Sequence, residues 1–159
     1  MSSGTIFQIG REPINKNKHM TSSDIPEDFY AAIAEYIDDG CDRERNIQFF
    51  IELFGDQILL SDNGESFTFR PAVKQTYFRR KYSAFIDKAA ELSGVSLDAF
   101  VGKTPYPISS AMYELNRAFS DRFGNYVYCD GDLYPLDQWV REESLKGTYF
   151  FGETIDFNV

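Results

Sequence analysis

The stretch from Ile58 to Leu92 constrains the fold most, because its apolar period changes midway. Phe67 and Phe69 alternate with Ser66 and Thr68, the pattern of a strand with one buried face. Asn63-Gly64, just before them, is a preferred dipeptide of the type I′ hairpin turn, whose two central residues both take positive φ. Pro71 then opens a run in which Phe78, Tyr82, Phe85, Ile86 and Ala89 recur at helical spacing, ended by Gly94. A hairpin that passes directly into a long helix is not a βαβ unit. The expected fold is α+β: one domain over residues 1–159, a mainly antiparallel sheet built from hairpins, and three to five helices.

The other segments fit that class. Thr5-Ile-Phe-Gln-Ile reads as a short strand, and residues 10–23 as a surface loop. Asp24, Pro26 and Glu27 carry helix-start signals, and Phe29, Ile33, Tyr36 and Ile37 extend that helix toward Gly40. Residues 45–54 satisfy both templates, Ile47, Phe50, Ile51 and Phe54 for a helix and Ile47, Phe49, Ile51 and Leu53 for a strand; Gly55 tips the balance to helix. Ser96–Phe100 suggests one further turn, and the two prolines of Thr104-Pro105-Tyr106-Pro107 predict extended chain. A helix capped by Ser109 or Ser110 would align Met112, Leu115, Phe119 and Phe123. A second hairpin is predicted over 126–135, turning at Asp130-Gly131, then a short helix over 136–144 and two closing strands, 149–151 and 155–157.

Chemistry-bearing residues are sparse. His19 is the only histidine and sits in the polar loop. Cys41 and Cys129 lack the spacing of a disulfide framework or a zinc site with His19. Asp130-Gly131-Asp132 has the D-x-D form that can hold a divalent ion, but it coincides with the expected turn. No glycine-rich phosphate loop is present. No catalytic residue, metal site or cofactor is therefore assigned. The alternative of a small, histidine-independent carboxylate hydrolase would draw on Asp130, Asp132, Glu142 and Glu143.

Charge and aromatics point elsewhere. The net charge of −9 is unevenly spread: residues 22–57 sum to −8, residues 66–88 to +5 and residues 121–159 to −5. The acids Asp28, Glu35, Asp38, Asp39, Asp42 and Glu44, with Tyr30 and Tyr36, would form a carboxylate row on a helix that mimics nucleic-acid phosphates toward a basic groove. Ten tyrosines exceed what one core hides easily, so several are expected at the surface. The expected function is a non-enzymatic acidic binding protein, an inhibitor or nucleic-acid mimic whose partner is a basic DNA- or RNA-processing protein. Direct nucleic-acid binding through the 70–88 helix, with Arg79, Arg80 and Lys81 on phosphate, is the less favoured route. No membrane partner is expected, since the longest apolar runs are four or five residues, and the cysteine usage suits a reducing cytoplasm.

Overall fold

In the computed structural model, residues 3–34, 36–38, 40 and 42–158 are described. The strands are β1 (Ser3–Gly10), β2 (Tyr36–Asp38), β3 (Ile58–Leu60), β4 (Ser66–Phe69), β5 (Tyr126–Cys129), β6 (Asp132–Pro135) and β7 (Tyr149–Asn158). The α-helices are α1 (Glu27–Ala32), α2 (Arg43–Phe54), α3 (Val73–Ser93), α4 (Leu97–Phe100), α5 (Tyr106–Phe119) and α6 (Leu136–Glu142), one more than the upper expectation. The sheet runs β3-β4-β7-β1-β5-β6, with β2 added to β7. The β1–β5 pair is parallel and the others are antiparallel, so the fold is α+β.

Strand β7 reconciles two predicted strands with one observed strand. Phe7 faces Thr154 and Ile9 faces Phe151, so β7 holds one extra residue opposite Gln8. This bulge reverses the side-chain alternation. Tyr149 and Phe151 enter the core under α2 and α6, while Ile155 and Phe157 enter the opposite core under α1. Gly152 lies at the bulge because the Gln8 carboxamide fills the space a Cβ would need. Gln8 Oε1 accepts from Met20 N (2.9 Å) and Glu153 N (3.0 Å), and its Nε2 donates to Lys18 O (3.0 Å). One side chain thus holds both the bulge and the 10–23 loop.

Four other expectations change. The helix begun near Asp24 stops at Ala32, and Tyr36–Asp38 is a strand, because its backbone pairs with Asp156–Asn158 along β7. Asp24 instead closes a capping box with Thr21 on a preceding 3₁₀ turn. The Asn63-Gly64 turn is not type I′: only Gly64 has positive φ, and Asn63 Oδ1 accepts from Ser61 Oγ and Glu65 N in a longer loop. Helix α5 begins at Tyr106, since Pro107 in a first turn lacks only an N–H that would be unpaired anyway. Asp130 and Gly131 do take paired positive φ, 52° and 83°, as the second hairpin requires. Residues 43–54 are helix, with Asp42 Oδ1 accepting from Arg45 N at its start.

The helices α3, α4 and α5 form an arm. Within them only Val73 and Tyr77, at the root, are buried. Phe119 packs beside Phe85, and Lys81 bridges to Asp121, so α5 returns antiparallel along α3. Beyond the root, the predicted stripe is present but open to solvent, with Tyr82 65% and Ile86 43% exposed.

Candidate functional site

The polar groove with the most sequence-expected residues lies where β2, the ends of β1 and β7, and helix α2 meet. It encloses about 740 Å³. Tyr36 and Asp38, two apart on β2, both line it. Asp42 enters from the start of α2. Arg45, Gln48, Phe49 and Glu52 follow at i, i+3, i+4 and i+7, the polar face opposite the buried Ile47, Phe50 and Phe54. Asp156 of β7 completes the acidic set, and Arg117 reaches in from the root of the arm.

The carboxylates are not equivalent. Asp156 Oδ1 accepts from Thr5 Oγ1 (2.8 Å) and Asn46 Nδ2 (3.1 Å) and is fixed within the fold. Asp42 caps α2. Asp38 Oδ1 accepts from Gly40 N (2.8 Å) in a local turn and remains exposed. Glu52 stands exposed one helical turn beyond Gln48. Among the described residues, four acids and two arginines therefore surround a cleft beside a three-residue edge strand that pairs only with β7.

The expected row of carboxylates on one helix does not exist, because β2 breaks it. Tyr36, Asp38 and Asp42 come together, while Glu44 is exposed elsewhere on α2. Asp28 and Tyr30 belong to α1, where Tyr30 donates its hydroxyl to Ser22 O (2.7 Å). Glu35, Asp39 and Cys41 lie outside the described residues. Sequence reasoning missed Glu52, Arg45, Arg117 and Asp156. The spacing 45, 48, 49, 52 was a readable signal for the α2 face; nothing in sequence placed Asp156 or Arg117 beside it.

Of the basic trio on α3, Arg79 is exposed, Arg80 donates to Leu53 O, and Lys81 pairs with Asp121 (3.2 Å) with both side chains 15% exposed. His19 is half-buried, its Nδ1 3.6 Å from Glu153 Oε2. Cys129 is half-buried, and burial followed by Asp130 pushes its thiol up to about 11. Glu143 accepts from Arg11 (2.8 Å) and Tyr149 (3.2 Å), and Glu142 from Gln138 (3.3 Å). Asp132 accepts from Tyr134 (3.3 Å) beside the turn that holds Asp130. Among the described residues, no three His, Cys, Asp or Glu side chains are grouped to hold a metal, and no helix is long and apolar enough to cross a membrane. Four tyrosines are exposed: Tyr30, Tyr36, Tyr82 and Tyr106. Comparison with protein-family profiles, curated proteins and solved structures finds no match.

Proposed function

We propose that this chain is a non-enzymatic acidic binding protein that receives a basic segment of a protein partner in the β2–α2 groove. The observation that supports this reading is the convergence of Asp38, Asp42, Glu52 and Asp156 with Tyr36 and Phe49 around one cleft. The wider charge favours the same partner. Residues 73–119 hold seven bases and four acids, while the remainder holds nine bases and 21 acids, a net of −12. A field of that sign speeds the approach of cationic chains and repels nucleic acid. The edge of β2 offers backbone groups to an extended peptide, and the flanking carboxylates select lysine or arginine side chains on it. An inhibitor or nucleic-acid mimic directed at a basic DNA- or RNA-processing protein is the biological form this chemistry fits.

The test is a calorimetric titration with an arginine-rich peptide at low and high salt. Binding is expected at low salt, weakening steeply as salt rises. Asp38→Asn with Glu52→Gln should weaken it by about tenfold, and Asp28→Asn, on the separate helix α1, should not. No binding at low ionic strength, or equal loss in the Asp28 variant, would overturn the assignment.

A further inference from the structure

We propose that the α3–α5 arm is a self-association surface, on which a second copy of this chain packs antiparallel, the tip of each arm against the root of the other. Phe85, Leu92, Ile108, Met112, Leu115 and Phe119 line a groove of about 560 Å³ between the two long helices, with Phe100 of α4 at one end. The groove is apolar and open: Met112 is 59%, Phe119 63% and Phe100 69% exposed. Tyr82 and Ile86 of α3 are exposed as well, Tyr82 in a neighbouring shallow groove with Phe78 and Arg79. Two helices with one uncovered seam are half of a four-helix bundle.

Charge selects the occupant, and area permits it. Eight large apolar side chains of the arm are exposed. At about 200 Å² for a complete large side chain, they present roughly 1,000 Å² over the whole arm, and three of them (Phe100, Met112 and Phe119) line the groove. A standard interface takes roughly 800 Å² from each partner, so a dimer would draw on most of the arm's exposed apolar surface and not on the groove alone. The arm is also self-complementary along its length. Its root, residues 73–83 and 115–119, carries Lys74, Arg79, Arg80, Lys81 and Arg117 and no acid; with Lys81 paired to Asp121 and Arg117 lining the β2–α2 groove, three bases remain to meet a partner. Its tip, residues 84–114, carries four acids and two lysines, a net of −2. Two-fold antiparallel pairing sets each root against the partner's tip, whereas parallel pairing stacks like charge on like charge.

The experiment is sedimentation equilibrium of the full chain across the micromolar range. A dimer is expected, its dissociation constant rising several-fold with added salt as the root–tip attraction is screened. Met112→Glu with Phe119→Glu should weaken it at least a hundredfold, because both carboxylates would be buried at the seam, and should lower the thermal melt of the diluted monomer only by the lost Phe85–Phe119 contact. Arg79→Glu should loosen the dimer, and Asp98→Arg in the same chain should restore it. A chain monomeric at high micromolar concentration would overturn the proposal and leave the groove to a partner's helix. A dimer indifferent to the Met112 and Phe119 changes, or tightened by salt, would overturn the surface or its antiparallel arrangement, respectively.

Discussion

Asp121 joins the arm to the sheet, and its replacement tests how the two are held. Its carboxylate accepts from the Tyr77 hydroxyl (2.7 Å) and from Lys81 (3.2 Å), while its own N–H donates to Asp137 Oδ1 (3.0 Å). Tyr77 is 5% exposed and stacks on Phe54, so its hydroxyl has little access to water. Asp121→Ala leaves that hydroxyl without its acceptor, which costs about 2 kcal/mol, and strands a partly buried ammonium, which adds about 1 kcal/mol. The expected loss is about 3 kcal/mol by urea denaturation at neutral pH. Asp121→Asn keeps an acceptor and should lose about 1 kcal/mol. Tyr77→Phe removes the group that would be orphaned, so combining it with Asp121→Ala should cost at least about 1 kcal/mol less than the two separate losses together. Amide exchange in α5 should quicken in Asp121→Ala while β1 and β7 stay protected. A loss below about 0.5 kcal/mol, or additivity within about 0.3 kcal/mol, would refute this account of the junction.

Three further outcomes follow from buried groups. Burial raises the Tyr77 hydroxyl and lifts that of Tyr126 to about 12, against an unfolded value near 10. The folded state therefore holds more protons in that interval, and stability, complete below about pH 10, should fall by about 1.4 kcal/mol per pH unit for each hydroxyl as pH rises. Urea midpoints up to pH 11 check this, and Tyr126→Phe should make the decline shallower. Cys129, measured in a Cys41→Ser background, should react with iodoacetamide at pH 8 about a hundredfold more slowly than an ordinary thiol, since its thiolate is correspondingly scarcer. Gly152→Ala should cost about 3 kcal/mol in urea, because the new methyl displaces the Gln8 carboxamide and frees Met20 N and Glu153 N together.

Much of the local structure was legible because it follows from short-range chemistry. Asp130-Gly131 specified its turn because Asp and Gly tolerate the paired positive φ of a type I′ hairpin. The spacing of Ile47, Phe50 and Phe54 allowed a helix as readily as a strand, and the following Gly55 favoured the helix that is found. The largest errors arose where a distant strand overrode a local signal. Tyr36, Ile37 and Asp38 continue a helical pattern in sequence, yet the open edge of β7 offers their backbone a ladder. Tyr149–Asn158 reads as two strands because the bulge opposite Gln8 inverts the alternation midway, which only the partner strand reveals.

The sequence by itself determined the apolar stripes of α3 and α5, the segregation of charge, and the absence of a histidine- or cysteine-based catalytic motif, all of which are properties of residue type and spacing. Only the tertiary structure decided which acids share a cleft and which stripe meets a core. Asp38 and Asp156 are 118 positions apart and become neighbours through β2–β7 register alone. The stripe of α2 is covered by the sheet, whereas those of α3 and α5, beyond Val73, Tyr77 and Phe78 at the root, project past it and line an open groove with α4. A helical period records that a face prefers to leave water; it carries no information on whether this chain or a second one will cover it.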